Sequence, residues 1–284
     1  MKNDYLIERL KDEKKYGISG GIYNMTQIDM AFNSNHIEGS TLTREQTHFI
    51  YDTHSLPDGG MKVDDVFETI NHFRCFDMVI DNCNKPLNEN FIKALHYQLK
   101  TGTFSSQSSG AVIGDYKKYA NFVGDIQTSS PKTVSEDVTR LLGDYHSKRN
   151  KTLDDILAFH ADFEKIHPFY DGNGRVGRLI MFKECLTNNI APFIIREDMR
   201  AHYIKGLNEW QQGGEKGFLR EFCASMQDEM LAKLQYFDIP YLDKNEKQEE
   251  IFISPETDDY IRNFIEKGKA LSGDDNNDFC RVDE

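Results

Sequence analysis

The sequence predicts an all-α fold, a bundle of helices interrupted by one short two-stranded excursion. Apolar residues recur at spacings of three and four through most of the chain. Capping residues, Gly and Pro punctuate these runs in the way helix ends require. Only the segment from Gly114 to Val134 loses the helical period.

The first helix to be justified covers about residues 26–38, where Ile28, Ala31 and Phe32 form an apolar stripe and Thr26 and Asp29 are the candidate capping groups at its start. Gly39 follows as the residue type expected just past a helix end. Thr43 and Gln46 have the spacing of a capping box that opens the next helix. Val66, Ile70, Phe73 and Asp77 mark another, Phe91, Leu95 and Leu99 a third, and Val134, Val138, Leu141, Leu142 and Tyr145 a fourth. Between the last two, Tyr116, Tyr119, Phe122, Val123 and Ile126 favour extended structure, Gly124-Asp125 marks a turn and Pro131 ends the excursion. Helices are then expected near 153–166, 174–188, 198–211 and 217–236. From Pro240 the chain turns charged, and a short helix is expected at Thr257 to Lys267. These elements divide the chain into an N-terminal region (1–60), a core (61–238) and an acidic, partly helical tail (239–284) that is either disordered or docks on a partner or a second copy.

The stretch His167 to Arg178, HPFYDGNGRVGR, concentrates a base, an acid, a glycine-rich turn and two arginines. Gly172 and Gly174 permit positive φ and can turn several N–H groups toward one point, an anion-binding nest where a helix begins. Arg175 and Arg178 lie on one side of that helix and can reach back over its first turn toward phosphate oxygens. Asp171 supplies a hard oxygen of the kind Mg²⁺ takes when phosphates complete its shell. His167 is the group whose ordinary pKa suits a general base near neutrality. Singly, each is an ordinary loop or helix-surface residue; together they describe phosphoryl or nucleotidyl transfer without saying which phosphorus is attacked. GNGRVG also fits the dinucleotide-binding G-x-G-x-x-G pattern, but that fingerprint needs a strand before it. Here Leu153, Ile156, Leu157, His160, Phe163 and Ile166 precede it at helical spacing.

The stretch resembles the signature of the Fic family, H-P-F-x-[D/E]-G-N-G-R-x-x-R, at every specified position, and the likeness extends over roughly residues 20 to 235. The resemblance implies a Fic helical bundle with a short β-hairpin flap, transferring AMP from ATP to a Ser, Thr or Tyr hydroxyl of a protein. By that resemblance His167 takes the hydroxyl proton and Asp171 holds Mg²⁺ between the α- and β-phosphates. Gly172, Asn173 and Gly174 cradle phosphate oxygens, and Arg175 and Arg178 neutralise the β- and γ-phosphates. Doc-like relatives, which phosphorylate instead, have a lysine where this chain has Gly174.

Upstream, Ser34 and Glu38 lie one helical turn apart in SNHIEGS. As residues they read as an ordinary helix end; by resemblance they form the inhibitory motif [S/T]-x-x-x-E-[G/N]. Glu38 would then pair with Arg178 and occupy the γ-phosphate seat, and the same carboxylate could orient a water that removes AMP from a modified protein. The segment 114–134 resembles the flap, with Phe122, Val123 and Gly124 aligning the target by strand addition. A family-typical arginine is Lys117 here. Met199 to Trp210 resembles the segment bordering the adenine pocket, with Tyr203 as the base-stacking ring.

At 284 residues with net charge −13, 38% hydrophobic residues and no Lys/Arg stripe, the chain is not expected to bind nucleic acid. No stretch approaches the ~20 apolar residues of a membrane span, and MKNDYLIERLKDEKK lacks a signal-peptide core, so a cytoplasmic protein is expected. Cys75, Cys83, Cys185, Cys223 and Cys280 are scattered without a C-x-x-C pair, against disulfides or structural zinc. The expected partners are ATP, Mg²⁺ and a hydroxyl-bearing protein, with a homodimer left open. The competing reading is a nucleotide-sensing module with vestigial catalysis; the intact His167 and Asp171 favour the enzyme.

Overall fold

The computed structural model describes residues 3–108, 112–123, 126–214, 216–241 and 254–272, with 108, 122–123, 126–127 and 268–272 described by their backbone. Helices α1 (Asp4–Tyr16), α2 (Ile22–Ile37), α3 (Arg44–Thr53), α4 (Val63–Asn82), α5 (Glu89–Lys100) and the short α6 (Phe104–Ser108) precede the extended excursion. Helices α7 (Val134–Ser147), α8 (Leu153–Ile166), α9 (Asn173–Thr187), α10 (Arg200–Gln211), α11 (Gly217–Tyr236) and α12 (Pro255–Ser272) follow it. The excursion is two residues wide: Phe122 pairs with Gln127 and Val123 with Ile126, antiparallel. The turn expected at Gly124-Asp125 lies outside the described residues, and two residue pairs do not establish a flap hairpin spanning 114–134.

α9 runs through the centre. Its residues are buried nearly all round, including Arg175, Arg178 and Lys183, and it packs on α8, α4, α5 and α2. One large apolar core surrounds it, built from Leu6 and Leu10 of α1 through Phe76, Leu95, Phe163 and Phe182 to Leu219 and Met230 of α11. A second cluster joins α2, α3, α4 and α12.

α2 differs from its sequence reading at its start. It begins at Ile22, so Thr26 and Asp29 lie within it as buried side chains instead of capping it. The cap comes from another helix: Glu13 of α1 accepts from the Tyr23 N–H at 2.8 Å. A Cβ at Gly21 would collide with that carboxylate, so a side chain there would push the Glu13 cap aside. The capping box of Thr43 and Gln46 is present as expected. α1 and α6 had no counterpart in the sequence reading, because α1 is polar overall and α6 is barely a turn. The tail also differs: its described part, α12, docks on this chain's own α2 and α3.

Candidate active site

The stretch from His167 to Arg178 links α8 tightly to α9. His167 ends α8 in the left-handed region (φ 51°), Gly172 caps α9 at φ 83°, and Asn173 ties the loop between to itself. Asn173 accepts from the Phe169 N–H at 2.8 Å and donates to the Phe169 carbonyl at 3.0 Å. The sequence reading gave Asn173 to phosphate; here its amide is spent at both ends on the loop backbone, where it shapes the nest instead of lining it.

Arg178 meets the end of α2. Its Nε donates to Ser34 Oγ at 3.0 Å, and its Nη2 donates to the Ser34 carbonyl at 2.9 Å and to Glu38 Oε1 at 2.7 Å. Glu38 can come this close because residue 174 has no side chain: a Cβ there would collide with Glu38 Oε1. Burial alone would raise the Glu38 carboxyl, but Arg178 and Arg175 outweigh it and hold the group below the ordinary carboxylate range.

Asp171 sits in a cluster that the sequence did not announce. Lys100, the last residue of α5 and 3% exposed, donates to Asp171 Oδ2 at 2.6 Å and to Glu68 of α4. Glu68 also pairs with Arg175, whose Nη2 lies 3.5 Å from Asp171. Arg175 is thus turned to Glu68 and Asp171, and it stands over no open surface. Lys100 and Glu68 carried no sequence signal, since each looks like a charge on an amphipathic helix. Burial works against ionisation of Asp171, yet Arg175 and Lys100 bring its pKa to about 2. A side chain 53% exposed and fully ionised is a donor that suits Mg²⁺ arriving with a polyphosphate. Among the described residues no group of three or more acidic, His or Cys side chains could hold a metal without such a ligand.

His167 Nδ1 faces the Glu164 carbonyl at 3.3 Å, and a carbonyl only accepts, so the ring's proton is on Nδ1 and its lone pair on Nε2. Burial, aided by the charge of Lys117, lowers its pKa to about 4. The ring is therefore neutral near pH 7. His96 braces the loop: its ring stacks on Phe169 at 3.8 Å, its Nδ1 accepts from the Gly114 N–H, and its Nε2 donates to the Asp171 carbonyl at 3.1 Å.

Residues 86–185, which contain this loop and the helices on either side, match the model of the Fic/DOC family. This stretch of the chain is a Fic/DOC family domain. It is 30% identical over 157 residues, 43% of its length and 46% of the relative's, to a probable protein adenylyltransferase of Aquifex aeolicus. It is 25% identical over 221 residues, 74% of its length and 51% of the relative's, to protein adenylyltransferase Fic of Nematostella vectensis. The chain thus spans about half the length of these curated relatives. Its fold resembles that of a Fic domain containing signaling protein from Bacteroides thetaiotaomicron (TM-score 0.61, 20% identity, 94% of this chain and 97% of that one). Fic-1 from C. elegans is similar too, with TM-score 0.61, 18% identity and coverage of 75% of this chain and 64% of that one.

Two expectations for this chain change with the structure. Tyr203 is 1% exposed, its hydroxyl meets His160 Nε2 at 2.5 Å and its ring lies 5.9 Å from the Arg178 guanidinium carbon. A ring enclosed this way offers no face to a base; it backs Arg178. Lys117, in place of the expected arginine, is 4% exposed. It donates to Asn121, Thr128 and the Ile166 carbonyl and so fastens both sides of the excursion to the end of α8. Of the flap residues, Phe122 and Val123 lie in the paired strand, and Gly124 is outside the described residues. Among the described residues no helix is long and apolar enough to cross a membrane.

Proposed function

We propose that this chain is an autoinhibited protein adenylyltransferase that transfers AMP from ATP to a Ser, Thr or Tyr hydroxyl of a target protein and of itself. The observation that carries the reading is the Glu38–Arg178 contact at 2.7 Å on the first turns of α9, beside the Gly172 cap. A guanidinium at the mouth of a helix N-terminus is a seat for phosphate, and here the chain's own carboxylate fills it. The names of the curated relatives favour AMP as the group moved.

In this reading the target lies along the Phe122–Val123 edge and Gly124, and His167 Nε2 takes the hydroxyl proton. The hydroxyl oxygen forms a bond to the α-phosphorus as the bond to the α–β bridging oxygen breaks, and pyrophosphate leaves. Asp171 would hold Mg²⁺, which neutralises phosphate charge. The Gly174 N–H would hold a phosphate oxygen, joined by the Gly172 N–H only if it leaves Asp171 Oδ1, to which it donates at 2.7 Å here, and Arg178 receives the γ-phosphate once Glu38 withdraws. While Glu38 stays, ATP can bind only with its α-phosphate out of line. Glu38 is ionised and its side chain 35% exposed, which also favours a second role, orienting a water that removes AMP from a modified protein.

The test uses Mg²⁺ and ATP labelled at either the α- or the γ-phosphate. Wild type should label protein weakly from the α-phosphate and Glu38→Gly ~5- to 150-fold more strongly, the range of common coupling energies. Label from the γ-phosphate alone would make the chain a Doc-like kinase. No label from either form would make it a nucleotide sensor.

A further inference from the structure

The reach of Glu38 depends on where α2 lies, and part of α2 is covered by the last described helix. Asp29, two and a half turns before Glu38, is 3% exposed and is the hub of a network joining four elements. Tyr260 of α12 donates its hydroxyl to Asp29 Oδ1 at 2.6 Å, Lys233 of α11 donates to Oδ2 at 2.7 Å, and Arg44 of α3 pairs with Oδ1. Arg44 also donates to the Tyr260 hydroxyl at 3.2 Å, with its guanidinium carbon 4.9 Å from the Tyr260 ring centre and 4.4 Å from that of Phe32. Beside this network Ile261 (0% exposed) and Phe264 (4%) complete an apolar cluster with Met25, Ile28 and Ala31 of α2.

α12 starts as a helix built to stand there. Ser254 accepts from the Thr257 N–H at 3.2 Å, and Pro255 takes the first helical position, where its missing N–H costs nothing. Without α12, Met25 and Ile28 would lose apolar cover and Asp29 one of its donors, all within α2. The last turn of α2 is held differently, by Arg200 Nε donating to the Ile37 carbonyl at 2.8 Å and by Ser34 and Glu38 on Arg178.

We propose that α12 is a brace that fixes α2 in the position from which Glu38 reaches Arg178, so that lifting α12 releases the arginine. The proposal rests on the autoinhibition described above. A modification or partner that captures α12 would switch the enzyme on from a surface away from the catalytic loop.

The test compares wild type, Tyr260→Phe and the double variant Tyr260→Phe/Phe264→Asp, in which an unpaired carboxylate inside the cluster forces α12 off. Amide hydrogen exchange of α2 and label transfer from α-labelled ATP are measured, each with Glu38 present and with Glu38→Gly. The expected result is exchange in α2 faster by ~5-fold or more in the double variant and smaller in Tyr260→Phe. Labelling should rise in the same order with Glu38 present and not at all in the Glu38→Gly background. Unchanged α2 exchange with α12 undocked would overturn the brace, and so would an equal rise in labelling in both backgrounds. If Glu38→Gly itself transfers no label, the enzymatic reading fails, and α2 exchange still decides whether α12 braces it.

Discussion

Glu38 and Gly174 are in contact across the α2–α9 interface, and the contact exists because residue 174 has no side chain. A Cβ there would collide with Glu38 Oε1 and stand 2.9 Å from Arg178 Nη1. On the proposed function, the same bare backbone that would admit a phosphate admits the carboxylate that keeps it out.

On the proposed function, Gly174→Ala should evict Glu38 without raising AMP transfer, because the new methyl also crowds the backbone N–H groups that would hold phosphate. Arg178, 3% exposed, would lose its charged partner. We expect a net loss of about 1–2 kcal/mol in urea unfolding, the cost of an unmatched buried charge offset by the better helix propensity of Ala. Labelling from α-labelled ATP should stay at or below wild type while that of Glu38→Gly rises.

Lys100→Met keeps the length of the stem and removes the charge between Glu68 and Asp171. With one partner of a buried cluster gone, about 3–5 kcal/mol of stability should be lost. A chain that unfolds at the wild-type urea midpoint would show that Lys100 is a bystander.

His167, with its pKa lowered to about 4, should act as a base well below pH 6.5. The charge of Glu38 raises that pKa, so removing Glu38 moves it further down. The labelling rate of Glu38→Gly should be level from pH 8 to about pH 5 as far as this group decides it. An acid limb centred near 6.5, the ordinary value for histidine, would contradict the buried, neutral ring.

His72, His96 and His160 are buried with pKa values lowered to about 3, 4 and 3, in each case chiefly by burial. Below about pH 6.5 the unfolded chain takes up protons that the folded chain refuses. Stability is thus untouched by these groups above that pH and falls beneath it, by up to about 1.4 kcal/mol per pH unit for each histidine until its folded pKa is reached. Urea unfolding at pH 7.5, 6 and 5 measures the slope, and a level profile would mean that these rings titrate freely in the fold.

Tyr203→Phe should cost about 1 kcal/mol, the usual worth of a buried hydrogen bond, here the one to His160. ATP affinity in a Glu38→Gly background should stay within about twofold, since the ring supports Arg178 from behind. Titration calorimetry with a non-hydrolysable ATP analogue separates this from a base-stacking role.

Much of the site was legible because it is contiguous. Between His167 and Arg178 the spacing of residues along the chain is nearly their spacing in space, so a loop and one helical turn could be read directly. Helices with one apolar face, such as α7, α8 and α11, were legible for the same reason: a period of 3.6 residues is a local property. Asp29, read as a cap, is an interior residue of α2 that is tolerated only because Lys233, Arg44 and Tyr260 come to it from other elements. Tyr203 and Asn173 were assigned by resemblance to a nucleotide that the fold turns them away from.

The helical class, the chemistry-bearing loop and the inventory of base, acid, glycines and arginines are all local properties of the chain. It takes the packed fold to bring Glu38 to Arg178, to set Lys100 and Glu68 on Asp171 and Arg175, and to lay α12 on α2. These are contacts between segments far apart in the chain, the first two of them charge pairings. A charged residue on an amphipathic helix looks the same in sequence whether it faces water or a buried partner, and only packing, which sets the dielectric and the distance, tells the two apart.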